Sequence, residues 1–163
     1  MKVFDLLDAE KANLDYRDKL MLYGQLVGAW EIKSTWFTPD GKTTHDEGQW
    51  HFGWILGGRG VQDVLFANSF TPDRYGTTIR CYDSKHDLWR VTWMQPAHNE
   101  FVNLIGRKVG NNIVQEIIGG EDKKQIWRFT DITANSFIWR AEMSTDGGQS
   151  WILEQEMLAK RIC

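Results

Sequence analysis

The chain has 163 residues and a formal net charge of −3, and this length fits one domain with a full hydrophobic core. The charge excludes the basic surface that binding to a nucleic-acid backbone requires, so we expect no nucleic-acid partner. The sequence has neither a signal-peptide pattern at its start nor an unbroken apolar run of about 18 residues, so we expect no membrane partner. We therefore predict a cytoplasmic protein, and the sequence leaves the formation of a homo-oligomer open.

Cysteine and histidine are too few and too scattered to predict a metal site. The two cysteines, Cys81 and Cys163, exclude a cysteine-based zinc site and suit a reducing compartment. The four histidines do not recur at ligand spacing on one strand face. We therefore predict no metal and no cofactor.

A helical pattern is confined to residues 1–27. Its apolar side chains recur at steps of four, three and four residues, at Tyr16, Leu20, Tyr23 and Val27. We predict an amphipathic N-terminal helix in this segment. The remainder, residues 28–163, belongs to the same single domain and carries a different pattern.

From Gly28 onward the apolar period changes to two, in short runs separated by turn sequences such as "TPDGK", "LGGRG", "VGNN" and "TDGGQ". The runs number roughly ten, and no helical pattern separates them. Strands at such regular spacing pair with their chain neighbours through hairpins. The sequence therefore predicts an all-β fold: a roughly ten-stranded antiparallel up-and-down barrel with an N-terminal helix.

The last hairpin can be laid out residue by residue. A three-residue loop at Asp146–Gly148 would place Trp139 opposite Gln155 and Arg140 opposite Glu154. The same treatment of residues 133–135 extends one apolar face across three strands. The side chains predicted to face inward are Trp127, Phe129, Phe137, Trp139, Trp151 and Leu153.

The opening hairpin has two registers. A loop at Pro39–Gly41 pairs Trp30 with Trp50 and turns His51 outward. A loop shifted by one residue would instead turn four polar side chains inward. These are His45, Glu47, Gln49 and His51.

The glycine-rich stretch "QWHFGWILGGRG", residues 49–60, is not a phosphate-binding loop. It lacks the G-x-G-x-x-G spacing before a helix and the lysine of a P-loop. Glycines between two strand patterns are typical of a bend in a closed sheet. Arg59 within this bend is predicted to point toward the barrel mouth, either as a ligand contact or in a hydrogen bond within the barrel.

Several short motifs carry a family resemblance. "GAW", residues 28–30, resembles the G-x-W signature of lipocalins and other calycins, which implies a structural role for Gly28 and Trp30, with Arg161 of the last strand covering the tryptophan at the closed end. "WILGGR" and "DGGQSW" resemble motifs of a bacterial lipocalin-like family of uncharacterised proteins, classed as a domain of unknown function. That resemblance implies a calycin barrel and transfers no catalytic residue.

A neighbouring calycin group, the nitrobindin-like haem proteins, also has ten strands and binds haem through a histidine near the C-terminus. The last predicted strand of this chain, "SWILEQEMLAKRIC", contains no histidine. Haem ligation of that kind is therefore not expected.

Nine tryptophans, each with one donor that needs a partner when buried, indicate a wide interior with some polar lining. We predict that the barrel binds a small apolar or aromatic molecule. The residues predicted to pack against its hydrocarbon are Trp36, Trp54, Trp93, Trp127 and Trp139. The residues predicted to orient a polar end are Arg59, Tyr82, Asn103 and Gln155.

Two other functions stay open at this point. The same cavity would suit a cyclase or isomerase of a small carbonyl-bearing substrate, with Arg59 as electrophile and His51 or Asp63 as base. A filled barrel would instead suit a protein-interaction module. The sequence does not settle whether the protein is an enzyme.

Overall fold

The computed structural model describes residues 1–69, 71–120 and 123–162, so Cys163 lies outside it. Most of the described chain is β-structure, preceded by a short helical segment. Short 3-10 turns occur at Leu14–Tyr16, Pro72–Arg74 and Pro96–His98. The helices and strands are α1 (Val3–Leu7), β1 (Asp8–Ala9), α2 (Arg17–Gly24), β2 (Gly28–Phe37), β3 (Thr43–Ile55), β4 (Gly60–Ala67), β5 (Gly76–Asp83), β6 (Leu88–Gln95), β7 (Glu100–Val109), β8 (Asn112–Ile117), β9 (Lys124–Thr130), β10 (Ser136–Ser144) and β11 (Ile152–Arg161).

Strands β2 to β11 form a closed antiparallel barrel. Each pairs with the next strand along the chain, and β11 pairs back with β2. The two-residue strand β1 adds to the end of β3, beside Trp54 and Ile55. The predicted ten-stranded up-and-down barrel with an N-terminal helix is confirmed, with one extra strand.

The opening hairpin has the first of its two predicted registers. Trp30 pairs with Trp50, and Ile32 pairs with Gly48. Trp30, Trp50 and Ile32 are buried, because alternate residues of a barrel strand face the interior. His51 lies opposite Ala29 and is exposed on the outer surface. The alternative register, with His51 inside, is wrong.

The predicted register of the last hairpin is wrong by two residues. Trp139 pairs with Met157 instead of Gln155, and Arg140 pairs with Glu156 instead of Glu154. A turn longer than the predicted three residues shifts the pairing of Met143 by one residue, and a β-bulge between Ala141 and Glu142 adds the second. The Asp146 carboxylate accepts hydrogen bonds from backbone N–H groups at positions 149 and 150, which holds residues 145–151 outside the strands.

A two-residue shift leaves the inner and outer faces unchanged, so Trp139 still faces inward. Phe129 also lies opposite Trp139, as predicted. Two of the side chains predicted to face inward do not do so, and these are Trp151 and Leu153. Trp151 precedes β11 and lies under the Arg128 guanidinium, and Leu153 pairs with Glu142 beyond a bulge, on the outer side. Both were predicted to face inward.

Helix α2 covers one end of the barrel, which we call the closed end. Its Leu20 and Tyr23 are fully buried. Gly24 packs so closely that a Cβ there would lie 2.4 Å from the Trp54 ring. The predicted helical stripe is shorter than expected, because α2 ends before Val27. Neither helix of the described chain is long and apolar enough to span a membrane.

Candidate functional site

The barrel interior has two halves with different solvent exposure. In the closed half, next to α2, the inward side chains are buried: Trp30, Phe52, Val61, Trp89, Leu104, Ile113, Phe129 and Phe137. The open half lies at the opposite end. There the last inward-facing residue of β2 is Trp36, which is 48% exposed. Trp127, also facing inward, is half-buried. Solvent therefore reaches inward-facing side chains at the open end.

Aromatic rings occupy the closed half. Trp30 meets Phe137 edge to face with ring centroids 4.7 Å apart, and the Trp50 ring lies 4.9 Å from that of Phe52. Tyr23 of α2 adds a further edge-to-face contact with Trp89 at 4.7 Å. These separations are those of packed aromatic pairs, so this half serves as a hydrophobic core.

Four tryptophans line the open half, and we call them the tryptophan cluster: Trp36, Trp93, Trp127 and Trp139. Trp127 lies between two of them, with ring centroids 6.4 Å from Trp93 and 5.5 Å from Trp139, both nearly edge to face. Trp36 stands at the rim opposite Thr44 and Gln155. The cluster presents aromatic surface that runs from the interior to solvent.

Polar groups beside the tryptophan cluster form hydrogen bonds. The Gln155 side-chain amide donates to the Ser34 hydroxyl at 2.9 Å, and both residues are buried. The Trp93 indole N–H donates to the Glu100 carboxylate at 3.1 Å. Such a surface suits a mostly apolar ligand with one polar group.

A charged pair lies buried between the two halves. The Arg80 guanidinium donates to the Asp63 carboxylate at 2.5 Å, and both residues are 1% exposed. The Gln115 side-chain oxygen accepts from Arg80 Nε at 3.3 Å and from the Tyr23 hydroxyl at 2.9 Å. The Thr78 backbone N–H donates to Asp63. We call Tyr23, Asp63, Arg80 and Gln115 the polar core.

Burial governs the protonation of the polar core. It raises the pKa of Asp63, and the facing Arg80 guanidinium opposes that rise. Burial also raises the pKa of Tyr23, so its phenol stays neutral and acts as a donor. The Arg80 guanidinium lies 5.2 Å from the Tyr23 ring centroid and 5.4 Å from that of Phe52, a cation–π environment that supports the buried positive charge.

Sequence reasoning missed Arg80. It named Asp63 only as a base in the enzyme alternative. The signal was in "TTIRCYD", where Arg80 alternates with Thr78 at the inward positions of β5. A charged side chain at an inward barrel position needs a partner across the strands, and register supplies Asp63, which pairs with Thr78.

The structure separates the predicted ligand-binding residues. Trp36, Trp93, Trp127, Trp139 and Gln155 come together in the open half. Trp54 and Tyr82 lie at the closed end. Arg59 and Asn103 lie outside the barrel interior.

At the closed end, Trp54 is covered by α2, and Tyr82 contacts the N-terminal segment. The Tyr82 hydroxyl donates to the Asp87 carboxylate at 2.6 Å, and this hydrogen bond is the main cause that raises the pKa of Tyr82 to about 12. Lys19 of α2 binds the same carboxylate at 2.8 Å. This arrangement holds the helix against the barrel.

Arg59 does not point toward the open mouth as predicted. It lies in the β3–β4 turn at the closed end, where its guanidinium binds Asp15 at 2.7 Å and covers the Tyr16 ring. Both partners belong to the N-terminal segment, so Arg59 joins that segment to the β3–β4 turn. Asn103 is exposed on the outer face of β7 and accepts a hydrogen bond from Thr92.

The catalytic set of the enzyme alternative is not assembled. Arg59 lies on the closed-end turn, His51 lies on the outer surface beside Gln49, and Asp63 is inside the barrel in its ion pair with Arg80. An electrophile and a base must both reach one substrate. Arg59, His51 and Asp63 lie on three separate parts of the molecule, so they do not reach one substrate together.

Arg161 covers Trp30 at the closed end. Its guanidinium carbon lies 4.0 Å from the Trp30 ring centroid, and it donates to the carbonyl oxygens of Val27 and Ala134 at 2.9 and 2.6 Å. Gly28 has a φ of 134°, and a Cβ there would lie 2.3 Å from the Arg161 guanidinium. Glycine is therefore required at this position.

A groove of about 760 Å³ lies beside α2 at the closed end. It is lined by Lys19, Tyr82, Trp89, Gly106, Arg107 and Asn111, among others. Within residues 1–69, 71–120 and 123–162, no group of three or more metal-ligating side chains is present.

No family model matches the chain, and no curated protein matches it in sequence. Solved structures share its fold. Rv2717c from M. tuberculosis aligns with a TM-score of 0.60 at 12% identity, over 89% of this chain and 98% of that one. The S-type phycobiliprotein lyase CPES from Guillardia theta aligns with a TM-score of 0.57 at 7% identity, over 88% of this chain and 92% of the lyase chain. The chain thus has a lipocalin-like barrel fold.

Proposed function

We propose that the protein binds a small apolar or aromatic molecule in the open half of its barrel. The observation that carries this proposal is the tryptophan cluster, in which the buried Trp93 and Trp139 contact a half-buried Trp127, with the half-exposed Trp36 at the rim. Exposed aromatic surface inside a barrel loses contact with water when a ligand covers it, and this burial is the main source of affinity.

The geometry of the cluster favours a flat ligand. The Trp127 ring is inclined by 82° to that of Trp93 and by 62° to that of Trp139, so the rings present both faces and edges to the space beside them. An aromatic ligand can form offset or edge-to-face contacts with such rings. The Ser34–Gln155 pair at the rim supplies hydrogen-bonding groups for a polar substituent.

Similarity in fold to a protein described as a phycobiliprotein lyase is consistent with a small-molecule binding role. The motifs "WILGGR" and "DGGQSW" support the further proposal that the chain belongs to the bacterial lipocalin-like family that it resembles. Neither similarity identifies the ligand.

The proposal is tested by titration with N-phenyl-1-naphthylamine, a neutral apolar probe whose emission rises on burial and which accepts energy from tryptophan. We expect saturable binding, with emission sensitised by excitation of tryptophan. Trp127→Leu should weaken the affinity roughly five- to tenfold, because one aromatic contact is worth about 1 kcal/mol.

Two variants serve as controls. Trp151→Leu removes a tryptophan that lies outside the barrel under Arg128, and Arg59→Ala removes a side chain bound to Asp15 at the closed end. Both should leave the affinity unchanged. Equal weakening by Trp127→Leu and Trp151→Leu, or the absence of saturable binding, would contradict the proposal.

A further inference from the structure

The groove beside α2 is large enough for a small molecule. Its lining comes from α2, from strands β5 to β7 and from the turns next to them at the closed end. Its volume of about 760 Å³ falls within the range of about 300–1,000 Å³ that is typical of small-molecule sites. The tryptophan cluster lies at the other end of the barrel, so the groove does not belong to that site.

Apolar side chains form one part of the lining. Leu22 of α2 and Ile132 of the β9–β10 turn are half-buried and pack against the hydrophobic core. Trp89 of β6 lines the groove with the 2% of its surface that is exposed, and Met21 is 40% exposed. Apolar surface of this kind loses contact with water when a ligand covers it. The groove therefore suits the apolar body of a ligand.

Strand β7 places a cation beside this apolar surface. Leu104, Gly106 and Lys108 alternate along the strand, and alternate residues of a strand face the same side. Leu104 and Gly106 are buried in the barrel, whereas Lys108 lies beyond the core and is exposed. Arg107 lines the groove next to it and is also exposed. Two neighbouring cations therefore lie along one side of the groove.

These two cations have no protein partner. The other lysine of the groove, Lys19, is paired with Asp87 at 2.8 Å, and the Tyr82 hydroxyl donates to the same carboxylate. Within the part of the chain that the structure describes, the side chains of Arg107 and Lys108 form neither a hydrogen bond nor an ion pair. Both are therefore available to an anion.

The charge of the groove favours an anion over a cation. Three cations, Lys19, Arg107 and Lys108, face two carboxylates, Asp18 and Asp87, in a chain whose formal net charge is −3. The groove thus carries a local positive surplus on an otherwise acidic protein. Asp18 lies in the first turn of α2, where the helix N-terminus favours its negative charge.

We propose that the groove binds apolar molecules that carry a carboxylate. Arg107 and Lys108 bind the carboxylate, because the two oxygens match the donors of a guanidinium fork and an adjacent ammonium adds charge. The apolar body lies against Leu22, Ile132 and Trp89. This inference goes beyond the proposed function and does not depend on it, because the residues concerned lie at the opposite end of the barrel from the tryptophan cluster.

The test compares 2-naphthoate with 2-naphthamide, which has nearly the same shape and no charge. Each titration is followed at the indole N–H signal of Trp89 in a ¹H–¹⁵N NMR spectrum, because Trp89 lines the groove. We expect the carboxylate to bind roughly fivefold more tightly than the amide at low ionic strength. This preference should shrink in about 0.5 M NaCl, because salt screens exposed charges.

Two variants assign the preference to the named cations. Arg107→Gln and Lys108→Gln change exposed side chains, so the fold is retained, and each should weaken binding of 2-naphthoate roughly two- to fivefold. Neither should change binding of 2-naphthamide. The matched control is Lys33→Gln, which removes the same charge from an exposed pair with Glu47 on the outer face of β2 and should leave both affinities unchanged.

Three results would overturn the inference. They are equal affinities for the carboxylate and the amide, a loss in Lys33→Gln as large as that in the two groove variants, and a Trp89 signal that 2-naphthoate does not shift. The proposed function is judged separately, by binding of the neutral N-phenyl-1-naphthylamine at the tryptophan cluster. Failure of that probe would count against the proposed function and leave the groove inference in place.

Discussion

The two halves of the barrel use the same residue type in opposite ways. Trp30 and Trp54 in the closed half are buried against Arg161 and α2. Trp36 and Trp127 in the open half also lie at inward positions, yet solvent reaches them. The position of a tryptophan in the inward series does not decide its role. What decides it is whether another element covers that end of the barrel.

The polar core marks the boundary between the halves. A buried ion pair is weak evidence for stability, because desolvation of both charges offsets their attraction. Its place beside the tryptophan cluster favours a role in shaping the inner end of the site. We therefore expect a large loss in the free energy of unfolding when a substitution leaves a charge unpaired at this boundary. Substitutions on the outer surface should change it little.

The largest effect is expected from Asp63→Asn. Arg80 stays charged and loses its buried partner, so the free energy of unfolding should fall by about 3–5 kcal/mol. Urea denaturation measures this change. The double variant with Arg80→Met should recover a large part of the loss, because the unpaired charge is gone. The control is Glu47→Gln, which removes a charge from an exposed pair with Lys33 and should change the free energy of unfolding little. No loss in Asp63→Asn would mean that the ion pair is not buried.

Arg80→Met should make stability depend more strongly on pH. Burial raises the pKa of Asp63 in the folded state, and Arg80 opposes that rise. Without Arg80 the folded state holds the proton more tightly than the unfolded state, whose carboxyl titrates near about 3.9. The deficit relative to the parent protein should therefore grow as pH rises from about 5 to about 8. A deficit that shrinks over this range would contradict the assignment.

Arg161→Ala should lower the free energy of unfolding by roughly 1–3 kcal/mol, through lost packing on Trp30 and unpaired carbonyl groups. The guanidinium contacts on Trp30 and on the carbonyl oxygens of Val27 and Ala134 are the interactions removed. Thermal unfolding measures the effect. Lys160→Ala, on the adjacent exposed position, is the matched control, and equal melting temperatures for the two variants would show that Arg161 does not hold the closed end.

The smallest effect is expected from the pair of Arg140 and Glu156. Their side chains are 2.7 Å apart on the outer surface and partly exposed, so a double-mutant cycle with alanine should give at most about 1 kcal/mol of coupling. A coupling well above this value would place the pair in a less solvated environment than the outer surface.

Much of the barrel is predictable from local pattern. Alternation of apolar residues gives the strand count, and the short turn near Gly41 fixes the opening register. The last hairpin is shifted because the Asp146 carboxylate organises a longer turn and because a β-bulge follows at Ala141 and Glu142. Neither feature is visible in apolar alternation.

The site was predictable only in part. Alternation along each strand predicts which tryptophans face inward. Which of them are buried and which are exposed depends on where α2 packs, and that is a tertiary contact. The direction of Arg59 was not predictable because its partners, Asp15 and Tyr16, come from the N-terminal segment. Arg80 was missed because its partners Asp63 and Gln115 come from other strands.

The most direct test of the division between the halves is a ligand titration followed by the indole N–H signals of the nine tryptophans in a ¹H–¹⁵N NMR spectrum. Single Trp→Phe variants assign the signals, and N-phenyl-1-naphthylamine is the ligand. The account predicts shifts for the cluster residues Trp36, Trp93, Trp127 and Trp139, with the closed-half signals of Trp30, Trp54 and Trp89 unchanged. Shifts confined to Trp89, which lines the groove beside α2, or to the closed half, would contradict it.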